Sequence, residues 1–585
     1  MSELLGSPIG LLCDQYLAAW ADLDPTGASM RGLVGYDDRT TDYGPDAHEQ
    51  RIALDRSTLM AVGAIEPAGH DEKIAGALIV DRLEAQLALA DQREHLRPLR
   101  ILGSPIAMIR QVFDGQVRAT AEDWDRIATR LEAVPAAMAS VRDSLQAGLD
   151  RGVVAARRQA IEVAEQCATW AGQREAPAFF TVLVEGASNG LVRPGEGATA
   201  EAHGLAAAPI ATARLKAAAD RATAVYSETG TWLRDTYAPL ATAQDAVGRD
   251  RYLAFGRAMN GAQLDLDATY AWGWDELHRI EAEMETVAKG IVAGGTVAEA
   301  IELLETDPAR SIEGEEDLRH WLQDLMDHTI AQLDGTHFDI AAPLHRVEAM
   351  IAPPGSAAAM YYTGPSEDFV RPGRTWYPTL GKIRFPLWGE VSICYHEGVP
   401  GHHLQIGQVR YLKDRLTRYQ RFTGVSAHLE GWALYAERLM GELGYLDNPD
   451  YQLGQLRAQA MRAVRVIVDI GMHLELPIPR DDRFHPGATW NPDLGQEFVT
   501  ARSCFPADFM ASEIVRYLGF PAQAIGYKVG ERAWLDGRAR AQRRAAQERR
   551  VFDLKAWHRD ALDLGPLGLD ALVDQLEGCG APTRP

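Results

Sequence analysis

The feature that most constrains the fold is a helical periodicity that extends over about residues 70 to 345. Apolar residues recur there at steps of three and four, and Ala, Glu, Arg, Leu and Gln fill the positions between them. This spacing puts the apolar side chains on one face of each helix, as in helices that share a buried core. The clearest segments are residues 81–95, 121–148, 154–170 and 274–291. The sequence therefore predicts a mainly α protein.

A different pattern interrupts the helices. Between residues 347 and 380, short aromatic or β-branched runs alternate with Pro and Gly, which is typical of short strands and turns. We expect a small antiparallel sheet there. Helical periodicity resumes at Trp388, whereas the Gly-rich stretch 188–205 is predicted to be a loop.

Length and charge exclude several classes of protein. A chain of 585 residues is long enough for two or three structural units and a sizeable core. Its formal net charge is −23, and no long Lys/Arg cluster interrupts this balance, so the electrostatic footprint of a nucleic-acid-binding protein is missing. No apolar run approaches the roughly 18 residues of a membrane-spanning helix. We therefore expect a soluble protein with no nucleic acid and no membrane as partner.

The cysteines and the start of the chain indicate a location. Five scattered cysteines, none in a CxxC pair, favour a reducing compartment. Acidic Glu3 and the lack of Lys or Arg before the first apolar stretch do not fit a secretory signal. Leu11 and Leu12 before Cys13 are not the small residues of a typical lipid-attachment site. We therefore expect an N-terminal helix of the mature protein and a cytoplasmic location.

The chemistry is concentrated in nine residues, Tyr395-His396-Glu397-Gly398-Val399-Pro400-Gly401-His402-His403. Three imidazoles and a carboxylate are the side chains from which zinc hydrolases draw their ligands and general base. In the HExxH motif, two His residues four positions apart on one helix bind the same ion. Here Pro400 stands where that motif has its second His, so the standard motif is absent.

A break in the helix can restore the geometry. Pro400 cannot donate the hydrogen bond back to His396, and Gly401 can adopt backbone angles that are closed to other residues. If two extra residues loop out before Gly401, the motif becomes an expanded form in which His402 is the second ligand. His403 is the alternative, and we favour His402.

A zinc site of the catalytic type needs a third protein ligand, which should lie on another element. Glu430 is the best candidate, because it lies in a helical pattern that begins after Gly424 and can return antiparallel past the first helix. His428 and Glu437 are alternatives. Glu437 lies two turns beyond Glu430 on the same face, from which it could instead orient a ligand.

These residues resemble the bacterial family known as domain of unknown function 885, whose members are predicted metal-dependent hydrolases of mostly helical build. The resemblance rests on YHEGVPGHHLQ and LEGWALYAE, on YYTGPSEDFVRPG at 361–373, on RAVRVIVDIGMH at 462–473 and on EIVRYLGFPAQAIGYKVG at 513–530. It covers the C-terminal part of the chain from about residue 345, and the helical first half fits the family more loosely.

The family is similar in layout to helical zinc peptidases such as thimet oligopeptidase, angiotensin-converting enzyme and the thermostable carboxypeptidases. These enzymes pair HExxH with a Glu on a following helix. The resemblance implies that His396, His402 and Glu430 bind one zinc ion per chain and that Glu397 is the general base. The expanded first motif departs from the pattern of these peptidases.

The resemblance also implies a hydrogen-bond donor for the oxyanion of the reaction. In the similar peptidases a Tyr or His from a late helix has this role, so Tyr527 is the first candidate and His473 the second. Tyr527 could equally be an aromatic residue of the core. Arg465, Asp469 and His473 follow at four-residue steps on one helix face, either as a polar row in a cleft or as a surface salt-bridge ladder.

Basic residues near the motifs could hold a substrate carboxylate. Arg371 and Lys528 are the predicted substrate contacts, with Arg374 close by in sequence. Such a contact would favour a carboxypeptidase. The acidic balance of the chain, if it extends into the cleft, would favour cationic or N-terminal amine groups.

These inferences predict a zinc-dependent hydrolase of peptide or peptide-like amide bonds that acts on a short peptide or small amide. Its fold is expected to be mainly α, with the small antiparallel sheet near the active-site cleft. Residues 1–345 would form the scaffold and a cleft wall, and residues 346–585 the catalytic, metal-binding region. The alternatives are a metallohydrolase of a non-peptide amide or ester, a metal-stabilised binding protein without turnover, and iron(II) or manganese in place of zinc.

Overall fold

The computed structural model describes residues 3–188, 209–352 and 360–581. Helices dominate these ranges and the strands are short, so the predicted mainly α fold is confirmed. No helix in the three ranges is long and apolar enough to cross a membrane. The loop predicted at 188–205 lies outside the described residues, except for Ser188 at the end of a helix.

The N-terminal part of the chain is helical. Its α-helices are α1 (Glu3–Gly6), α2 (Pro8–Leu23), α3 (Pro25–Met30), α4 (Pro45–Gly63), α5 (His70–Asp91), α6 (Pro105–Gln111), α7 (Ala121–Asp150), α8 (Arg157–Trp170), α9 (Phe179–Ser188) and α10 (Pro209–Trp232). A π-helical turn, Leu233–Tyr237, continues α10. The start of α7 has a capping box, in which the side chains of Thr120 and Asp123 each accept a backbone N–H of the other. The predicted helices at 121–148 and 154–170 thus correspond to α7 and α8.

The middle of the chain contains both helices and strands. The helices are α11 (Arg249–Asn260), α12 (Leu266–Ile291), α13 (Val297–Thr306) and α14 (Glu315–Leu333), and the strands are β1 (Ser311–Glu313), β2 (Val347–Ile351), β3 (Tyr361–Thr363), β4 (Gly373–Tyr377) and β5 (Arg384–Pro386). α12 contains the predicted helix at 274–291.

The sheet predicted near residues 347–380 is mixed rather than antiparallel. The strand order is β2-β4-β3, in which β4 pairs parallel with β2 and antiparallel with β3. A second, two-stranded sheet pairs β1 with β5 antiparallel. Strands joined by a tight turn pair antiparallel, but β4 inserts between β2 and β3, and the long connection from β2 lets β4 run parallel to it.

The C-terminal part is again helical. Its helices are α15 (Glu390–Glu397), α16 (His402–Tyr411), α17 (Arg418–Phe422), α18 (Ser426–Glu442), α19 (Pro449–Leu474), α20 (Pro492–Arg502), α21 (Ala507–Gly519), α22 (Gly526–Gln547), α23 (Leu554–Asp563) and α24 (Leu569–Leu576). α19 is buried along most of its length, including its polar residues. It is therefore a central element of the molecule rather than a surface helix.

Buried hydrophobic side chains form two clusters in the described residues. The larger cluster combines residues 4–83 with residues 252–576, and the smaller one contains Tyr43 and residues 99–241. The larger cluster includes residues on both sides of position 345. The division of the chain at that position stays a prediction.

Two glycines allow α18 and α22 to touch. A Cβ on Gly431 of α18 would lie 2.4 Å from the backbone carbon of Gly530, and a Cβ on Gly530 of α22 would lie 2.0 Å from the carbonyl oxygen of Ala427. A side chain at either position would therefore separate the helices. α18 carries Glu430 and α22 carries Tyr527, so this contact sets the distance between two predicted site residues.

We expect Gly530→Ala to lower the free energy of unfolding by about 1–3 kcal/mol, because the added methyl group meets backbone atoms that cannot move independently. Gly441→Ala on α18 is the matched control, since its Cβ would lie 3.6 Å from the nearest atom. That substitution should be neutral or stabilising by up to about 1 kcal/mol. Denaturant titration followed by circular dichroism measures both changes, and equal stability of the two variants would contradict the close helix contact.

Candidate metal centre

The helix that carries His396 stops one residue later. α15 ends at Glu397 and α16 begins at His402, with the predicted break between them. The amide N–H of Gly401 donates to the carbonyl oxygen of Tyr395 at 3.0 Å. A Cβ on Gly401 would lie 2.0 Å from the carbonyl oxygen of His396. The chain can turn this tightly only because residue 401 has no side chain.

A tryptophan on α18 holds the break in place. The Nε1 of Trp432 donates to the carbonyl oxygens of Pro400 at 2.8 Å and Gly401 at 3.2 Å, and the indole is fully buried. Glu430 precedes Trp432 by two residues on the same helix. The broken segment and the predicted third ligand are therefore fixed relative to each other.

Three side chains converge at the break. The Nε2 of His396 lies 3.4 Å from the Oε2 of Glu430, and the Nε2 of His402 lies 3.5 Å from the same oxygen. The three atoms all lie within 4.8 Å of one another. Two ligand atoms at about 2.0–2.1 Å from a tetrahedral zinc ion are about 3.3 Å apart. The spacing is therefore compatible with one such ion, and the residues that would hold it are the three that the sequence predicts.

The hydrogen bonding of the cluster supports the same fit. The Oε2 of Glu430 is buried and has no hydrogen-bond partner in the part of the chain that the structure describes. Buried polar atoms are nearly always satisfied, and a cation between this oxygen and the two imidazoles would satisfy it. Within the described ranges, this is the one group of three or more His, Cys, Asp or Glu side chains that could hold a metal ion.

Glu437 orients the imidazole of His396 from the side opposite the cluster. Its Oε1 lies 2.7 Å from the Nδ1 of His396, and its Oε2 accepts a hydrogen bond from the Ser392 hydroxyl at 2.6 Å. The Nη2 of Arg462 lies 3.3 Å from Oε1. A proton on Nδ1 leaves the Nε2 lone pair free for a metal ion, which is the usual arrangement of a metal-binding His. Glu437 thus lies where the sequence suggested an orienting role.

Charge pairing sets the protonation of these groups. Burial alone would lower the pKa of His396, but the facing carboxylates of Glu430 and Glu437 outweigh burial and raise it to about 9. Burial also opposes ionisation of both carboxyl groups. Contacts with His396 and His402 nevertheless hold the pKa of Glu430 well below its usual range, and contacts with Arg462 and His396 lower the pKa of Glu437. Both carboxylates are ionised at neutral pH, the state that binds or supports a cation.

Glu397 has the opposite character. Its carboxyl group is 6% exposed, and burial raises its pKa above the usual range, although the charges of His396 and His402 oppose the shift. It follows His396 directly in the chain. A carboxylate whose pKa is raised by burial is a stronger proton acceptor than an exposed one and is suited to exchanging a proton with a neighbouring water.

The two alternative histidines are turned away from the cluster. The Nδ1 of His403 lies 2.9 Å from the Tyr362 hydroxyl, and its Nε2 lies 2.9 Å from the carbonyl oxygen of Leu344. The Nδ1 of His428 lies 3.2 Å from the amide nitrogen of Gln405. Burial lowers the pKa of His403 to about 4 and that of His428 to about 3. Both are neutral residues of the core.

Tyr527 lies close to the cluster and is half-buried. Its ring centroid is 5.8 Å from the guanidinium carbon of Arg462 and 4.7 Å from that of Arg465. Its hydroxyl has no hydrogen-bond partner among the described residues. Burial, reinforced by the charge of Glu430, raises the pKa of Tyr527 to about 12, so the hydroxyl remains a donor at neutral pH.

His473 is not brought to the cluster. It is fully buried, its Nε2 lies 3.0 Å from the carbonyl oxygen of Tyr517, and burial lowers its pKa to about 4. Arg462, which contacts His396, marks the position of the cluster on α19. His473 lies three turns beyond Arg462 on this helix, a distance of about 16 Å along the helix axis. This distance excludes a direct role in the cluster.

The row of Arg465, Asp469 and His473 is not a surface salt-bridge ladder. Arg465 donates to Glu513 at 2.8 Å, and Asp469 accepts from the Tyr252 hydroxyl at 2.6 Å. All three members of the row are buried. The row therefore joins α19 to its neighbours inside the core, because α19 is surrounded by other helices.

The predicted substrate contacts differ in their placement. Lys528 is fully buried, and its Nζ donates to Glu276 at 2.7 Å, to Gln459 at 2.8 Å and to Glu531. This ammonium group has no donor left for a substrate, because each of its three N–H groups already has an acceptor. Arg371 lies in the loop before β4, and its charge acts on Tyr362. The second basic residue of that segment, Arg374, pairs with Glu348 at 2.9 Å.

Sequence reasoning missed two residues of the centre. Ser392 supports Glu437, and Arg462 contacts both Glu437 and His396. Arg462 precedes Arg465 by three residues, so helical spacing already placed both on one face. Ser392 precedes His396 by one turn of α15, and no pattern in the sequence around it indicates its role.

A family model and two solved structures match nearly the whole length of the chain. The sequence model of a family described as "Bacterial protein of unknown function (DUF885)" matches residues 25–576. No curated protein sequence matches. The comparison therefore supplies a family without an established activity.

Two solved structures share the fold. One is described as "the putative lipoprotein from Colwellia psychrerythraea" and has a TM-score of 0.81 at 21% identity, covering 97% of this chain and 98% of its own. The other, a "putative lipoprotein of unknown function from Shewanella oneidensis", has a TM-score of 0.70 at 16% identity, covering 97% and 99%. The word lipoprotein describes those two proteins, and the cytoplasmic location of this chain stays a prediction.

We expect the purified protein to bind about one zinc ion per chain. His396→Ala, His402→Ala and Glu430→Ala should each lose the ion, because each removes one of three converging ligands. His403→Ala is the matched control and should keep it. Elemental mass spectrometry after dialysis against zinc measures the content, with circular dichroism to verify folding. Loss of zinc in the control alone, or no uptake by the unmodified protein, would contradict the centre.

Glu437→Gln should weaken zinc binding by about 10–100-fold, because the amide cannot accept the His396 proton as strongly as a carboxylate. Competition with a chromogenic chelator measures the affinity. Glu442→Gln, at an exposed carboxylate of the same helix that pairs with Arg538 at 2.8 Å, is the matched control. Equal affinities of the two variants would remove Glu437 from the centre.

Proposed function

The chain belongs to the bacterial DUF885 family of unknown function, and we propose that it is a zinc-dependent hydrolase of peptide or peptide-like amide bonds. One observation carries the proposal. The Nε2 atoms of His396 and His402 converge on Glu430, and Glu397, the residue after His396, holds a buried carboxyl group with a raised pKa. Two imidazoles, one carboxylate and an adjacent proton acceptor are the parts of a catalytic zinc site.

We assign the roles in metal binding from the residues of the cluster. His396, His402 and Glu430 would hold the ion, which would supply a Lewis acid for a carbonyl oxygen and lower the pKa of a bound water toward neutrality. Glu437 keeps the proton of His396 on Nδ1, and so keeps Nε2 directed into the cluster.

Glu397 would move the proton. Its carboxylate accepts a proton from the attacking water as the water oxygen bonds to the amide carbon. The same carboxyl group then delivers the proton to the amide nitrogen, and the C–N bond breaks to give a carboxylic acid and an amine. A pKa raised by burial favours the first transfer, because it makes the carboxylate a stronger proton acceptor.

Tyr527 would stabilise the negative charge that develops on the carbonyl oxygen. Its hydroxyl is protonated at neutral pH and has no hydrogen-bond partner among the described residues, so it can donate to the oxyanion. Arg462 and Arg465 beside its ring hold the side chain in place through cation–π contacts.

Glu397→Gln tests the proposal directly. We expect the variant to keep its zinc and to hydrolyse a pool of side-chain-randomised tripeptides about 10²–10⁴-fold more slowly, because the amide cannot accept the proton. Glu390→Gln, at a carboxylate of the same helix near Arg457, is the matched control and should keep its activity. The release of new amino groups, measured with a fluorogenic amine reagent, gives the rates.

Either of two results would count against the proposal. Undiminished hydrolysis by zinc-loaded Glu397→Gln would remove Glu397 as the base. A zinc-loaded unmodified protein that cleaves no peptide would redirect the search to non-peptide amides and esters, or to a binding protein without turnover.

A further inference from the structure

Arg462 on α19 has hydrogen-bonding capacity that none of the described residues uses. Its side chain is 5% exposed, and its Nε and Nη1 atoms are buried without a hydrogen-bond partner. Among the arginines that the structure describes, Arg410 is the other with two such atoms. A guanidinium has five N–H donors and keeps its charge at all physiological pH values. Buried donors of this kind are rare without a bound water, ion or ligand.

The guanidinium lies beside the metal cluster. Its Nη2 is 3.3 Å from the Oε1 of Glu437 and 3.5 Å from the Nδ1 of His396. Its central carbon is 5.8 Å from the ring centroid of Tyr527, which is half-buried. Arg462 therefore contacts an imidazole of the cluster and lies near the ring of Tyr527.

Other basic groups of the region are already neutralised. Arg465 donates to Glu513, and Lys528 donates to Glu276. The contact of Arg462 with Glu437 occupies one of its three nitrogens, and Glu437 also accepts from two other groups. Arg462 thus keeps donors for one more acceptor, and an anion is the acceptor that a buried guanidinium binds most strongly.

We propose that Arg462 binds a carboxylate of the substrate, and that the substrate is a peptide or acylated amino acid with a free carboxylate next to the bond that is cleaved. The inference rests on the proposed hydrolase function and specifies its substrate class. A planar carboxylate matches the donors of arginine, and the sheltered position strengthens the attraction because little water screens it.

The position of Arg462 selects the terminal bond. In a C-terminal residue the carboxylate carbon is three covalent bonds from the carbon of the last amide, a distance of less than about 4 Å. His396 contacts Arg462 through Nδ1 and faces the cluster through Nε2, so a single imidazole ring separates the two positions. A carboxylate held by Arg462 presents the last amide bond to the cluster, and the enzyme acts as a carboxypeptidase.

The experiment compares two peptide pools. Both are tripeptides with free amino termini and randomised side chains, one pool made as C-terminal acids and the other as C-terminal amides. We expect the zinc-loaded protein to cleave the acids with a kcat/KM about 30-fold or more above that of the amides, as for a desolvated charge pair. Arg462→Met should keep its zinc and reduce this preference to about threefold or less, and Arg462→Lys should keep part of it.

Arg457→Met is the matched control. Arg457 is another arginine of α19 and lies over the rings of Trp388 and Phe505. Its substitution should leave the preference for acids unchanged. Equal cleavage of acids and amides by the unmodified protein would overturn the inference, as would an undiminished preference in Arg462→Met.

A binding measurement separates this inference from the proposed function. Zinc-loaded Glu397→Gln protein is dialysed against both pools, and mass spectrometry quantifies what it retains. If the Glu397→Gln protein retains the acids preferentially, and the double variant Glu397→Gln/Arg462→Met does not, the result supports the carboxylate site even if no peptide is cleaved. Equal retention of acids and amides overturns it, even if the hydrolase function holds.

Discussion

The centre depends on the break between α15 and α16. On an unbroken helix, His396 and His402 would point about 240° apart and could not bind one ion. The glycine at 401 lets the chain turn tightly against its own backbone. The indole N–H of Trp432 donates to the carbonyl oxygens of Pro400 and Gly401 and so stabilises this turn. Because Trp432 and Glu430 share one helix, the bond that secures the turn also sets the third side chain of the cluster.

Buried charge is the second requirement, and the surrounding helices meet it. Glu437 is completely inaccessible to solvent, and an isolated carboxylate in that position would be destabilising by several kcal/mol. His396 and Arg462 contact its Oε1, and Ser392 donates to its Oε2, so both carboxylate oxygens have partners. This arrangement needs a scaffold that excludes water. α19, buried along most of its length, provides it from one side, and the contact of α18 with α22 provides it from another.

The sequence predicted the parts of the centre that depend on local spacing. Helical periodicity placed Glu430 and Glu437 on one face of α18, and Pro400 with Gly401 marked the break. Prediction from the sequence failed where a residue contacts a partner that lies far away in the chain. Tyr527 and Lys528 are neighbours on α22 with opposite surroundings, since Lys528 meets Glu276, 252 residues earlier in the chain. The mixed order of the small sheet is another such case, because β4 pairs with two strands that do not pair with each other.

The sequence by itself therefore determined the helical class, the break and the types of side chain that could form a metal centre. Those properties follow from backbone geometry and from steps of three and four residues along a helix. Only the tertiary structure decided between His402 and His403, and only it left Arg462, rather than Lys528, with unused donors beside the cluster. The physical reason is that local spacing sets the direction of a side chain, whereas the groups it meets there belong to elements brought together by long-range burial of apolar surface.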